Sequence, residues 1–273
     1  MRDPALTVKE LARELAGFTW REARSCVFAG SFFFVLALSQ HVPLGPLHRY
    51  DFLFLMAVAM QLALVLMRLE TLDELKTLCI FHVLGFCLEV FKTNPAIGSW
   101  SYPEPGYLKL FGVPLYSGFM YAAVASYMVQ AWRQLRLEIT GYPRRRLTLA
   151  LSAAIYANFF THHYFGDFRW LLVALLVLLF RRTRVWFSPW RRRIWLPLPL
   201  AFALIGFFVW VAENIATFFG AWAYPHQHHG WHLVGLGKIS SWGLLVVLTF
   251  VIVADLKHFK ERLAGSPMAS EVG

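Results

Sequence analysis

The sequence predicts an all-α fold: a polytopic membrane bundle of about eight transmembrane helices in a 4+4 parallel repeat, with both termini cytoplasmic. Three observations predict it. The 273 residues are 58% hydrophobic and only 15% charged, more apolar surface than a soluble core of this length buries. Lys and Arg crowd onto one side of the apolar runs. Finally, Gly98-Ser-Trp100-Ser-Tyr102-Pro103 recurs as Gly220-Ala-Trp222-Ala-Tyr224-Pro225, each copy following a glutamate, Glu89 or Glu213, at the end of a long apolar run.

The segment 1–24 is polar, helical in pattern and carries both signs of charge, which predicts a cytoplasmic amphipathic segment. No small-residue cleavage site closes the first apolar run, so a removable signal peptide is not expected. The apolar runs place helices at 25–42, 52–69, 72–92, 112–132, 147–165, 168–181, 194–219 and 237–256. They form one transmembrane domain, 25–256, with halves at 25–135 and 147–256, followed by a cytoplasmic tail at 257–273. The runs beginning near 25, 52 and 168 are short for ~30 Å of hydrocarbon.

Of the 26 Lys and Arg, all but Arg49, Lys92, Lys109, Arg169 and Lys238 fall on the face that carries the N-terminus. That asymmetry makes this face cytoplasmic and requires an even number of spans. It also accounts for the net charge of +10 without nucleic acid: Arg144-Arg145-Arg146 and Arg191-Arg192-Arg193 lie in short loops, where anionic lipid headgroups are the natural partners. Cys26, Cys79 and Cys87 lack a C-x-x-C spacing, so neither a disulfide framework nor a zinc ribbon is expected.

Four helices separate Glu89 from Glu213, so both motif loops emerge on one non-cytoplasmic face. Most of the ten histidines share that face. His, Trp and Tyr are at home in the interfacial belt, which accounts for His41 and His48. A duplicated glutamate in a duplicated context points instead to acid/base chemistry. His82 precedes Glu89 by two helical turns on the same helix face, a spacing for two points along one cavity. Asn158 and His162 share a face one turn apart, with Asp167 in the next loop.

His162 and His163 are candidate metal ligands, as are His228, His229 and His232 in His226-Gln-His228-His229-Gly-Trp231-His232. A transition metal such as zinc or iron is the cofactor such a set would take. The alternative for the second group is a solvated histidine-rich loop. Trp100, Tyr102, Trp222, Tyr224 and Asn214 are the candidate substrate contacts, with Gly98, Gly220 and the prolines permitting tight re-entrant turns over a pocket. The expected catalytic set is therefore Glu89, Glu213, His82 and Asn158.

Glu89-Val-Phe-Lys-Thr-Asn94-Pro-Ala-Ile-Gly98-Ser-Trp100-Ser-Tyr102-Pro103, Phe160-Thr-His162-His163-Tyr-Phe-Gly-Asp167-Phe-Arg-Trp170 and Glu213-Asn214 through His232 together resemble the DUF817 family of bacterial integral membrane proteins. The resemblance implies a multi-pass protein of the bacterial cell membrane and carries no activity. Over the third and fourth runs, Glu89 followed by Gly98, Trp100, Tyr102, Gly106 and Gly112-Val113-Pro114 is similar to the pattern of membrane carotenoid hydratases, relatives of the membrane lycopene cyclases. That similarity implies protonation or hydration of an isoprenoid double bond. Two function classes follow: a membrane enzyme acting on a lipidic or isoprenoid substrate, and a transporter or metal-ion permease with an outer histidine site. A non-catalytic scaffold is the third. Membrane lipids are the expected partners; oligomeric state has no signal in the sequence.

Overall fold

The computed structural model describes residues 7–264, so residues 1–6 and most of the expected tail at 257–273 lie outside the described residues. The chain is mostly helical. An N-terminal helix, α1 (Val8–Ser25), begins at a capping box in which Thr7 and Glu10 satisfy each other's exposed donors. Then come α2 (Val27–Leu38), α3 (Arg49–Leu66), α4 (Leu72–Thr93), α5 (Ser117–Gln134), α6 (Arg145–Phe165), α7 (Arg169–Phe180), α8 (Leu198–Phe218) and α9 (Lys238–Ala264). Each of the eight expected runs overlaps one of α2–α9, and those for α2, α7 and α8 enclose the helix entirely.

Two boundaries differ from expectation for a local reason. Helix α5 starts at 117 rather than 112 because Lys109–Leu110 (β1) and Val113–Pro114 (β2) form a small hairpin across Phe111 and Gly112, both at positive φ. Helix α8 starts at 198 rather than 194 because Ile194–Pro197 (β5) pairs with Arg184–Phe187 (β4), which pairs in turn with Glu138–Thr140 (β3). The basic segments read as plain loops therefore carry a three-stranded antiparallel sheet.

Helix α1 docks on this sheet. Glu14 accepts the backbone N–H groups of Trp190, Arg191 and Arg192, and Arg21 donates to the carbonyls of Pro189 and Gln134.

Among the described residues three helical segments are long and apolar enough to cross a membrane: Arg49–Leu66, Leu198–Phe218 and Lys238–Asp255. Helices α2 and α7 are apolar but only 12 residues each, and α4 carries Asp73, Glu74, Lys76, Glu89 and Lys92 along its length. Large apolar side chains stand exposed around the outside, among them Phe34, Leu66 and Val83.

The packing recurs between the halves. Helix α4 lies along α5 as α8 lies along α9; α2 packs on α5 as α6 packs on α9; α2 touches α8 as α6 touches α4; and α5 meets α9 at the centre. The α8–α9 crossing is close because it uses glycine: a Cβ on Gly206 would sit 2.7 Å from the backbone N and 2.8 Å from the Cα of Gly243. Backbone cannot yield there. Gly206→Leu should therefore lower stability by about 1–3 kcal/mol or more, an overpacking effect. Gly30→Ala on α2, where an added Cβ meets nothing within 4 Å, should be neutral or stabilising by up to about 1 kcal/mol. Thermal unfolding of both variants in detergent checks the contrast.

Candidate functional site

The site grows from the last turns of two helices. Glu89 on α4 and Glu213 on α8 are each 3% exposed, so each carboxylate must find its hydrogen bonds inside the protein. Glu89 Oε2 accepts from Trp100 Nε1 at 2.6 Å and from the Tyr102 hydroxyl at 2.7 Å, while Oε1 accepts from the Tyr121 hydroxyl at 2.7 Å. Glu213 Oε1 accepts from the Tyr224 hydroxyl, and Oε2 from Trp242 Nε1 at 2.7 Å. Each carboxylate thus takes the tyrosine of its own motif loop and one aromatic donor from the helix that follows.

The loops reach the carboxylates because of their glycines. Gly98 and Gly220 hold φ of 58° and 69°, a left-handed conformation that costs other residues energy. Gly220 stands just past α8, where Ala221 N–H bonds to the Ala216 carbonyl and Gly220 N–H to that of Thr217, closing the helix in a Schellman motif. The two loops then pair with each other. Ser101 N–H donates to the Ala223 carbonyl at 2.9 Å and Ala223 N–H returns to Ser101 at 3.0 Å. These are the same position of the two motif copies, so the loops meet at equivalent residues in antiparallel fashion. They are extended and paired, where re-entrant turns were expected.

Trp100 and Tyr224 meet edge to face, ring centroids 6.0 Å apart, and the Lys238 ammonium lies over both, 5.3 Å and 4.6 Å from the ring centres. One cation therefore touches the donors of both carboxylates. Burial first, and then the neighbouring Glu89 and Glu213 charges, hold the Tyr102 and Tyr224 phenols well above their ordinary range. Both stay protonated and donate at neutral pH. Around them Arg49 ties the loops together, reaching Glu104 at 2.5 Å, Ser39 at 2.8 Å and the carbonyl of Phe219. Asp51 accepts the Tyr107 and Leu108 amides, and Lys109 donates to the carbonyls of Tyr102 and Glu104.

Below the loops lies a cavity of about 900 Å³ between α2, α5, α8 and α9. Its polar end carries Glu89, Glu213, Lys92, Lys238, Arg169 and His162, with Trp100, Trp222 and Tyr224; the remainder is almost wholly apolar, running past Phe33, Met120 and Phe208 to Phe18, Tyr127 and Glu22 of α1. Along α5 and its C-terminal cap the lining extends from Met120 to Leu135, roughly 22 Å at about 1.5 Å per residue. The equivalent seam between α6, α9, α4 and α5 holds only about 20 Å³. In the narrow seam α6 places Tyr156, whose hydroxyl bonds the Leu84 carbonyl at 2.9 Å, whereas the open one is lined in part by Cys26 and by Ala29 and Gly30 of α2.

The other expected site residues lie elsewhere or do other work. His82 packs against Gly118 and Phe119 of α5, with a ring contact of 4.7 Å, and is absent from the cavity wall. Asn158 braces the α6–α7 turn through Asp167 at 3.3 Å and the Phe168 amide at 3.2 Å. Asn214 fastens the return of the histidine loop, accepting Val234 N–H at 2.8 Å and donating to the Trp210 carbonyl.

The candidate metal ligands fall into two separate places. Among the described residues no group of three or more His, Cys, Asp or Glu side chains converges. His162 and His163 stack on each other at 4.0 Å and face Lys92 Nζ, 3.4 Å and 2.7 Å away, so an ammonium occupies the place of a cation. His228, His229 and His232 are exposed, while Gln227 organises their loop through Tyr224 N–H and the His232 carbonyl.

Tyr121, Trp242, Lys92, Lys238 and Arg169 were missed. Tyr121 and Trp242 follow the loop tyrosines by 19 and 18 residues, so extending the repeat into the next helix finds them. The three cations were in view as exceptions to the charge asymmetry.

Loss of one donor should register according to what remains. Tyr102→Phe leaves Glu89 with Trp100 and Tyr121; Tyr224→Phe leaves Glu213 with Trp242 alone. Each should destabilise by about 1–3 kcal/mol, Tyr224→Phe by more, read as unfolding midpoints in detergent. Equal, negligible losses contradict the geometry.

A family model described as "Protein of unknown function (DUF817)" matches residues 14–250. "Uncharacterized protein YoaT" of Bacillus subtilis (strain 168) is 52% identical over 260 residues, covering 95% of this chain and 97% of its own. No solved structure matches the chain. The matched segment contains both glutamates, both motif loops and the whole cavity wall, and the chain belongs to the DUF817 family.

Proposed function

We propose that the chain is an integral membrane enzyme that carries out carboxylate acid/base chemistry on a lipidic or isoprenoid substrate. One observation carries the reading: a long apolar cavity ends on two buried carboxylates, each held by aromatic donors. An apolar chain enters such a cavity by the hydrophobic effect, and a reactive double bond near the polar end lies beside Glu89 and Glu213.

One carboxyl group, in its acid form, gives its proton to a carbon of the double bond; the other, as carboxylate, removes a proton from an adjacent carbon or from an added water. Proton in and proton out balance without an oxidant or reductant. Tyr102, Tyr121, Trp100, Tyr224 and Trp242 fix the carboxylates in place, and the loops keep bulk water from the reacting carbons.

The reading places α2–α9 as eight spans in a parallel 4+4 repeat of the bacterial cell membrane, with the motif loops outside and both termini inside. The matched packing of the halves, the pairing of Ser101 with Ala223 and the charge asymmetry support it. Reporter fusions after Leu66, Thr93, Gln134 and Phe165 should alternate between inside and outside.

A second reading, transport of the same class of molecule, is favoured by the reach of the cavity from Glu213 to Glu22. It predicts uptake into proteoliposomes with no chemical change in the cargo.

Glu89→Gln and Glu213→Gln preserve volume while removing the ionisable group. Lipid extracts of cells producing the wild-type protein should contain a product, seen by mass spectrometry, that falls at least 100-fold in either variant; general acid/base groups contribute on this scale. Identical extracts from producing and non-producing cells sink the enzyme reading.

A further inference from the structure

Three cations share the polar end of the cavity. Lys92 is 4% exposed on α4, Lys238 opens α9, and Arg169 opens α7. Among the described residues no carboxylate lies within ion-pair distance of Lys92 or Lys238. Lys92 meets the imidazoles of His162 and His163 and the Phe91 ring, and Lys238 the faces of Trp100 and Tyr224. Glu89 and Glu213 face the same space, but their oxygens are taken up by Trp and Tyr donors. Arg169 is held in place by Asp167 at 3.1 Å and the Gly237 carbonyl at 3.1 Å.

Lys92 is buried and Lys238 half-buried, neither in ion-pair contact with a carboxylate; such an arrangement is costly, and an anion supplied from outside relieves it. These cations sit where an anion would arrive joined to an apolar tail, since the wall beneath them is apolar for roughly 22 Å. Two lysines and an arginine together suit a group of more than one negative charge and several acceptor oxygens, which is a phosphate better than a carboxylate.

We propose that the polar end of the cavity binds the phosphate group of a long-chain phosphate monoester, with Lys92, Lys238 and Arg169 as its ligands and the apolar chain lying in the cavity. The inference rests on the substrate reading above for the role of the cavity and adds the headgroup. A phosphate held between Lys92 and Lys238 sets the depth of the chain, and so decides which carbon stands beside Glu89 and Glu213.

The test uses the full-length protein in non-ionic detergent, following tryptophan fluorescence with partition into empty micelles subtracted. The probes are farnesyl phosphate, farnesol and inorganic phosphate. Farnesyl phosphate should bind at least tenfold more tightly than farnesol, and inorganic phosphate at least tenfold more weakly than farnesyl phosphate. Lys92→Gln and Lys238→Gln should each weaken farnesyl phosphate at least tenfold and leave farnesol unchanged. Equal binding of farnesol and farnesyl phosphate to the wild-type protein overturns the proposal whether or not the variants fold. Inorganic phosphate binding as tightly as the ester overturns the amphiphile and leaves a free-anion site. Selective binding of the ester, together with lipid extracts unaltered by Glu89→Gln and Glu213→Gln, separates the two readings: the headgroup site stands and the acid/base chemistry falls.

Discussion

Two carboxylates buried at the ends of apolar helices are the constraint around which the rest is arranged. A buried carboxylate without partners is among the most expensive groups a fold can carry. Here relief comes from aromatic side chains that are apolar over their faces and donate from one edge. Trp100, Tyr102 and Tyr121 serve Glu89; Tyr224 and Trp242 serve Glu213. To bring those donors into place the loops must turn at Gly98 and Gly220, and to stay there they pair through Ser101 and Ala223 and are clasped by Arg49. The loop architecture follows from the charge it shelters.

Equivalence between the halves explains the construction, and departures from it explain the cavity. Both halves present a helix ending in glutamate, a Gly-x-Trp-x-Tyr-Pro loop and a returning helix with an aromatic donor. They differ in what closes the seam beside that unit. Tyr156 plugs one side, while Cys26, Ala29 and Gly30 leave the other open. They differ too in charge: Lys92 follows Glu89 by one helical turn, and the corresponding place after Glu213 is Ala216. The result is one asymmetric pocket, with cations and carboxylates gathered at its loop end.

Much of the helical plan was legible because long apolar runs mark helices directly. Eight runs led to α2–α9, and polar periodicity to α1. Strands escaped because three or four residues in a basic loop, such as Arg184–Phe187, carry no period of their own. In the site, Glu89 and Glu213 were readable from their duplication, and Trp100, Tyr102 and Tyr224 from their place in the motif. The histidines misled. His228, His229 and His232 are dense in sequence, yet a loop pinned by Gln227 and Asn214 turns them outward. Lys92 and Lys238 misled in the other direction. They looked like leftovers from the positive-inside pattern, and their place in the cavity wall makes them members of the site.

The central claim is that the two halves meet at their motif loops to build one site. Ser101 and Ala223 exchange both backbone hydrogen bonds, and residues in such a pair stand about 5.5 Å apart at Cα, within the range a disulfide spans. With Cys26, Cys79 and Cys87 replaced, Ser101→Cys together with Ala223→Cys should form an intramolecular disulfide in membranes under mild oxidant. The readout is peptide mass mapping of the linked fragments, and each single variant should stay free. If both thiols of the double variant remain free under conditions that oxidise exposed cysteines, the loops do not meet and the single shared site is wrong.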